Sequence, residues 1–147
     1  MFSTSTARPL LFQDENIKAE IRASMSQSVS AFEQGDLEGI LRVYAPDAVV
    51  LPPNSPAVQG IPAIRQLWKS LLAAGYRNAA FQFDQIMHWG DIALVIGRYT
   101  VQIFTVPGVL EVDRGRYVAH WRRTADGLYR VTLSLWSSDR WNQPSHK

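Results

Sequence analysis

The hydrophobic period of the chain changes about halfway along its 147 residues, and this change limits the folds open to it. Up to Gly75, apolar residues recur at spacings of three and four, the period of an amphipathic helix. Beyond Gly75, long β-rich runs are separated by short turns that contain Gly, Pro or Asp, which is typical of consecutive strands. Helices followed by strands predict an α+β domain, with the helices on one face of a mostly antiparallel sheet.

Three helices are predicted in the first half. The first has Asp14 as its N-cap and ends at Gly35, and the second has Asp36 as its N-cap and ends at Pro46. The third has a proline in its first turn and ends at Gly75. Each helix carries an apolar stripe, and a sheet must curl around such helices to bury them. We therefore expect a strongly curved sheet and a cone-shaped cavity.

A proline pair ends the first strand. Residues 48–51 form an apolar β run, and Pro52-Pro53 then removes two backbone donors, so the ladder cannot continue there except at an edge. This predicts a rigid loop that shapes the mouth of the cavity. The remaining strands are predicted over residues 80–89, 92–105, 110–123 and 128–138.

The composition excludes several classes of protein. There is no cysteine, which excludes disulfides, thiolate zinc sites and thiol nucleophiles. The histidines at 88, 120 and 146 lack the spacing of metal ligands, so we expect no metal and no cofactor. The net charge is only +2, and residues 114–121 match an RNA-recognition motif poorly, so no nucleic-acid partner is expected.

The chain is expected to form one domain over residues 14–141, with a flexible arm over 1–13 and a tail over 142–147. No apolar run approaches the length of a transmembrane helix, and the N-terminus lacks the pattern of a signal peptide. We therefore expect a cytoplasmic protein without a membrane partner.

The dipeptide Asp126-Gly127 predicts a two-residue hairpin turn, which fixes the register of the last two strands. Paired residues share a face, so the turn divides these strands into two sets. One set mixes rings, small residues and hydroxyls, which is typical of a ligand pocket: Tyr117, Ala119, Trp121, Thr132, Ser134 and Trp136. The other set is apolar enough to form a homodimer contact: Val118, His120, Val131, Leu133 and Leu135.

A pocket is predicted from eight side chains that carry rings or hydroxyls: Tyr44, Trp68, Tyr99, Tyr117, Trp121, Thr132, Ser134 and Trp136. A core rich in tryptophan is the alternative. Tyr99 and Arg98 face opposite ways, and the sequence does not decide which faces inward. Candidate catalytic residues are Tyr44, Tyr117, Ser134 and His88.

A triad of Ser134, His120 and Asp113 can also be written down. The predicted register places Ser134 and His120 on opposite faces of the sheet. A triad needs its serine and histidine within hydrogen-bond reach, so this geometry argues against it.

Three segments resemble the NTF2-like superfamily, and within it the SnoaL-like or DUF4440 group related to ketosteroid isomerase. They are AFEQGDLEGILRVYAPDAVVLPPNSPAVQGIPAIRQLW over 31–68, GDIALVIGRYTV over 90–101 and GRYVAHWRRTADGLYRVTLSLWSS over 115–138. The resemblance implies an NTF2-like cone, with three N-terminal helices on a strongly curved sheet, and a homodimer. The fold hosts many functions, so the resemblance does not choose among them.

The resemblance also implies where catalytic groups would lie. In ketosteroid isomerase-like enzymes a carboxylate base near the end of the first strand abstracts a proton, and acidic donors stabilise the product anion. The base position falls at Pro52, the tyrosine donor near Ser28 and the acid donor near Ala119. Ser134 stands where related DUF4440 sequences often have Asp. We therefore expect no true ketosteroid isomerase and a pocket short of carboxylates.

Two hypotheses follow. In the first, the protein binds a small, mostly apolar molecule in an aromatic pocket. If it is an enzyme, it isomerises, cyclises or dehydrates a polyketide-, terpene- or steroid-like substrate without that carboxylate base. In the second, it is a non-catalytic association domain that dimerises through its sheet.

Overall fold

The computed structural model describes residues 7–105 and 108–140, with their side chains from Glu15 onward. It contains helices α1, α2 and α3 and strands β1 to β6. In chain order they are α1 Ala7–Gln34, α2 Leu37–Leu41, β1 Tyr44–Leu51, β2 Val58–Gln59, α3 Ile61–Ala73, β3 Tyr76–Trp89, β4 Ile92–Thr105, β5 Val109–Arg123 and β6 Tyr129–Ser138. The α+β class predicted from the change of period is therefore observed.

The first helix begins earlier than its predicted cap. It starts at Ala7, so residues 7–13 of the predicted arm belong to the helix, and Asp14 lies inside it. Pro9 does not prevent this, because the first turn of a helix tolerates proline. Residues 1–6 of the predicted arm and the tail over 142–147 lie outside the described residues.

The second helix is shorter than predicted. Asp36 caps it as expected, because its carboxylate accepts a hydrogen bond of 3.1 Å from the backbone N–H of Gly39. The helix ends at Leu41, however, and Tyr44 is the first residue of β1 rather than part of the helix. Tyr44 pairs with Val131 of β6, so strand pairing overrides the helical spacing of this segment.

The six strands form one sheet in the order β2-β1-β6-β5-β4-β3. All neighbours are antiparallel except β1 and β6, which are parallel. β1 ends at Leu51, immediately before Pro52-Pro53, where the missing donors predicted its end. The prediction missed β2, whose two residues are too few to show an alternating pattern.

Irregular pairing accompanies the curvature of the sheet. The register shifts twice between β3 and β4 and once between β5 and β6, and bulges of this kind bend a strand and increase its twist. The core lies between the helices and the concave side of the sheet. Its largest fully buried side chains come from helices and sheet alike: Trp121, Ile21, Ile40, Ile64, Val50 and Val95.

The hairpin between β5 and β6 differs from the predicted two-residue turn. Arg123 pairs with Tyr129, so the loop has five residues, and its backbone closes through a 2.8 Å hydrogen bond from Thr124 N–H to the Leu128 carbonyl. Near the loop the register is therefore displaced by one residue. A bulge beyond Trp121 adds one residue to β6 and restores the predicted register.

The bulge exchanges the faces of two residues. Val131, predicted on the outer dimer face, pairs with Trp121 and is buried in the core. Thr132, predicted in the pocket, is the extra residue, and its hydroxyl contacts the ring of His120 at 2.5 Å on the outer side. Both assignments are corrected, because Trp121 was expected to pair with Thr132. Beyond the bulge, Ala119 pairs with Ser134 and Tyr117 pairs with Trp136, as predicted.

Candidate functional site

A cavity of about 270 Å³ lies between the helices and the concave side of the sheet. Its wall is mainly apolar and aromatic, and every helix and every strand except β2 contributes to it. Ser55, which is exposed, brings the cavity to the surface beside Pro52 and Pro53. Six of the eight side chains predicted to form a pocket lie on this wall: Tyr44, Trp68, Tyr99, Tyr117, Ser134 and Trp136.

Two predicted pocket residues lie elsewhere. Thr132 is on the outer side of the sheet, as described above. Trp121 is fully buried and does not line the cavity, so it belongs to the core, which was the alternative interpretation of the tryptophans. Its indole N–H has no hydrogen-bond partner among the described residues.

Aromatic rings form one side of the wall. Trp68 of α3 stacks on Trp136 of β6, with ring centroids 6.0 Å apart and 23° between the planes. Phe32 of α1 packs edge-on against Trp68, with ring centroids 5.8 Å apart. The stack joins a helix to a strand that lies far from it in the sequence, so periodicity alone could not have predicted it.

Tyr44 is fixed beside this stack. The indole N–H of Trp68 donates to its hydroxyl over 3.1 Å. Burial raises the pKa of Tyr44 to about 12, although hydrogen bonds from Trp68 and Ser134 oppose the increase. At neutral pH Tyr44 is therefore an uncharged phenol.

Two tyrosines on neighbouring strands each lie over a glycine of the other strand. Tyr117 of β5 pairs with Gly97 of β4, and Tyr99 of β4 pairs with Gly115 of β5. A Cβ atom at Gly97 would lie 2.8 Å from the Tyr117 hydroxyl, and one at Gly115 would lie 2.9 Å from the Tyr99 hydroxyl. Both rings reach their positions because these glycines have no side chain.

The hydroxyl of Tyr117 is buried and has no hydrogen-bond partner among the described residues. Phe81 packs edge-on against its ring with centroids 5.2 Å apart. Burial raises the pKa of Tyr117, and the charge of Asp84 raises it further. The cavity wall therefore contains an uncharged hydroxyl donor without an acceptor, and such a group costs about 1–3 kcal/mol when it stays unpaired.

Asp113, considered in the sequence only as a member of the triad, is a cavity residue that the pocket prediction missed. Its side chain is buried and lines the cavity, which was expected to be short of carboxylates. One carboxylate oxygen accepts from the Tyr99 hydroxyl at 3.0 Å and the other from the Ser138 hydroxyl at 2.5 Å. The strand period could have revealed it, because Asp113 lies four residues before Tyr117 and so shares its face.

Tyr99 faces the cavity and Arg98 faces outward, which resolves the alternative left open by the sequence. Burial raises the pKa of Tyr99, and the charge of Asp113 adds to the effect. The guanidinium of Arg98 pairs with Asp84 at 2.6 Å outside the cavity. Arg98 is therefore not a buried cation, and it needs no counter-ion inside the cavity.

Neither of the two histidines that the structure describes, His88 and His120, lines the cavity. His120 contacts Thr132 on the outer side of the sheet, whereas Ser134 and Asp113 line the cavity, so the three cannot form a triad. His88, a candidate catalytic residue, is half-buried and does not line the cavity. Within the described ranges, no group of three potential ligands could hold a metal ion.

The three positions implied by the ketosteroid isomerase resemblance all lie on the cavity wall. They hold Pro52, Ser28 and Ala119, none of which is a carboxylic acid or a phenol. In the part of the chain that the structure describes, no helix is long and apolar enough to span a membrane.

Comparisons with known proteins agree with this fold. The model of the SnoaL-like domain matches residues 25–132. No curated protein matches the chain.

Solved structures similar to this chain include a ketosteroid isomerase-like protein from Erwinia carotovora atroseptica, with 19% identity over 84% of this chain and 96% of that one, and a TM-score of 0.75. An NTF2-like superfamily protein from Salmonella enterica has 13% identity over 91% and 99% of the two chains, with a TM-score of 0.76. An NTF2-like protein from Novosphingobium aromaticivorans has 18% identity over 97% and 95%, with the same TM-score of 0.76. The TM-scores show a common fold, and at identities this low they carry no statement about activity.

Proposed function

The chain belongs to the SnoaL-like family, and we propose that it binds a small, mostly apolar molecule in a cone-shaped cavity between its helices and its sheet. The observation that carries the proposal is the buried Tyr117 hydroxyl, which has no acceptor among the described residues and lies in an aromatic wall. A few polar groups in a mainly apolar cavity are typical of small-molecule sites.

The volume limits the size of the ligand. A cavity of about 150 Å³ holds benzene, so about 270 Å³ accommodates roughly two fused rings. A larger polyketide-, terpene- or steroid-like molecule would have to extend past Ser55 to the surface. We therefore favour a two-ring body, with a carbonyl or ether oxygen that accepts from Tyr117.

The reaction class we propose for the cavity is isomerisation, cyclisation or dehydration. Tyr44 and Tyr117 remain protonated at neutral pH, because burial raises the pKa of both, and can donate to a reacting oxygen. Ser134 adds a third hydroxyl to the wall. Pro52 has no proton to exchange, so we do not propose ketosteroid isomerisation with a base at that position.

A fluorescence titration tests the proposal, because the stacked Trp68 and Trp136 report on the cavity wall. Decalone is a suitable probe, since it is a two-ring ketone without an aromatic chromophore. We expect a saturable change in tryptophan fluorescence, and Tyr117→Phe should weaken binding about tenfold by leaving the ketone oxygen unpaired.

Tyr129→Phe is the matched control, because Tyr129 donates to the Gly90 carbonyl at 3.0 Å and does not line the cavity. Its affinity for decalone should equal that of the wild type. A wild-type protein that gives no saturable response to decalone, by fluorescence and by calorimetry, would count against a ligand site.

A second candidate function is homodimerisation through the outer side of the sheet. Strand pairing and alternation place the side chains of Leu51, Val118, Leu133 and Leu135 next to one another there on three adjacent strands, and Leu135 also borders the cavity; we call these four residues the outer patch. Its three leucines are exposed by 36–38%, which is unusual for neighbouring leucines without a partner. A second copy of the chain would cover the patch.

Sedimentation equilibrium tests this candidate. We expect a dimer that Leu133→Glu converts to a monomer, because the introduced charge would be buried in the contact. Leu128→Glu is the control, since Leu128 is 50% exposed in the hairpin loop, away from the patch. A wild-type monomer at micromolar concentration would exclude the candidate.

A further inference from the structure

Asp113 is a buried carboxylate that forms no ion pair within the described residues. Only 6% of the residue is exposed, and its two hydrogen-bond donors in the described part of the chain are the uncharged hydroxyls of Tyr99 and Ser138. An ionised carboxylate is costly to bury unless a positive charge compensates it. The described part of the chain supplies no such charge inside the cavity.

The arginines that lie close to Asp113 in sequence or by strand pairing either face the outer side or contact other partners. Arg114 follows it on β5 and therefore faces the outer side of the sheet, where it is exposed. Arg140 directs its guanidinium to Glu111 at 2.6 Å, and only its backbone N–H reaches Ser138. Arg77 donates to the carbonyls of Leu72 and Tyr76.

Asp113 still has free acceptor capacity on the cavity side. A carboxylate offers about four lone-pair positions, and the hydroxyls of Tyr99 and Ser138 use two. Both donors are neutral, so they orient the carboxylate without neutralising it. A ligand donor in the cavity can therefore reach an acceptor that is already fixed in place.

Aromatic rings line the same part of the cavity. Tyr99 contacts Asp113 directly, and Phe81 lies 6.5 Å from the ring of Tyr99. Tyr76 is near enough for the charge of Asp113 to help raise its pKa, after the larger effect of burial. Rings around a carboxylate form a favourable environment for an organic cation, because ring faces attract positive charge.

We infer that Asp113 binds the protonated amine of a ligand whose apolar ring body fills the cavity, an inference that rests on the function proposed above. The amine donates to the free lone pairs of Asp113 and supplies the missing positive charge. The rings of Tyr76, Phe81 and Tyr99 surround the ammonium group. The ligand class is thus an arylalkyl or cycloalkyl amine rather than a neutral hydrocarbon or a carboxylic acid.

Calorimetry with three probes of similar size tests the inference: naphthylmethylamine, naphthylmethanol and naphthoic acid, which at neutral pH are a cation, a neutral alcohol and an anion. We expect the amine to bind at least about tenfold more tightly than the alcohol, because hydrogen bonds between charged partners are the stronger ones. The acid should bind most weakly, because its charge has the same sign as that of Asp113.

Asp113→Asn should remove the preference for the amine and leave the alcohol's affinity within about twofold. Tyr99→Phe is the matched control, because it removes one hydrogen bond to Asp113 and keeps the negative charge. The preference for the amine should survive in that variant. If Asp113→Asn does not fold, the wild-type ratio of amine to alcohol decides alone.

The outcomes separate the two proposals. Equal binding of amine and alcohol to the wild type would overturn the role of Asp113 and leave the ligand site intact. Loss of the preference in Tyr99→Phe as well as in Asp113→Asn would mean that Asp113 only holds its neighbours in place. No binding of any of the three probes, nor of decalone, would overturn the ligand site itself.

Discussion

At the scale of single residues, two glycines decide where the tyrosines of the cavity lie. Gly97 and Gly115 occur in strands, where glycine is unfavourable, and each faces a tyrosine across the β4–β5 pair. The sequence shows both glycines and both tyrosines. It does not show that they pair, because the pairing depends on a long-range register between two strands of 14 and 15 residues.

Gly115→Ala should destabilise the protein by about 1–3 kcal/mol, the usual cost of adding atoms to a filled site. A Cβ atom there would lie 1.9 Å from the Ser137 carbonyl oxygen, so β5 and β6 must move apart. Urea denaturation measures the free energy of unfolding. Thr100→Ala, on the exposed side of β4, is the control and should change the free energy of unfolding little. An equally small effect of Gly115→Ala would contradict the close approach of Gly115 to the Ser137 carbonyl.

At the scale of elements, strand positions were easier to predict than their ends. The bounds of β4 are as predicted, because turn residues stand on both sides of a long β run. Tyr44 was misassigned because its four-residue spacing fits a helix, whereas its parallel pairing with β6 is a long-range interaction. A local pattern cannot contain that interaction.

The β5–β6 hairpin shows how a correct face can follow from an incorrect turn. The loop has five residues instead of two, and the bulge at Thr132 compensates for the resulting displacement. Ser134 and Trp136 therefore face the cavity as predicted. Val131, between the loop and the bulge, and Thr132, the bulge residue itself, do not follow the prediction. No feature of the sequence near Thr132 marks the bulge.

At the scale of the whole molecule, the cavity combines residues from both ends of the chain. The predicted fold class follows from periodicity, and the cavity positions of Tyr117, Ser134 and Trp136 follow from strand alternation. Those of Tyr44 and Trp68 were implied by the family resemblance, and that of Tyr99 was left open against Arg98. Asp113 was missed because its importance depends on its surroundings. It is buried beside Tyr99 and Ser138, which approach it from two neighbouring strands.

The buried phenols predict a loss of stability in alkaline solution. Tyrosine in an unfolded chain has a pKa of about 10, and in the folded protein that of Tyr44 is raised to about 12. Below pH 10 both states hold the proton. Above it only the unfolded state releases the proton, so stability falls as the pH rises from about 10 to about 12.

Urea midpoints measured across this pH range check the prediction. The wild-type midpoint should fall more steeply than that of Tyr44→Phe, which has no phenol to ionise at this position. Part of the pH dependence of the midpoint should remain in the variant, because the pKa values of Tyr99 and Tyr117 are also raised. Parallel curves for the two proteins would contradict the assignment to Tyr44.

The position of β6 has a consequence for synthesis on the ribosome. β6 lies between β1 and β5, so β1 lacks its parallel neighbour until residues 129–138 have been made. Until then β1 and β5 each have an unpaired edge in addition to the two edges of the complete sheet, and the aromatic stack is incomplete, features that favour aggregation. The sheet therefore cannot be completed before β6 has been made, and a chain cut before Tyr129 would depend on chaperones.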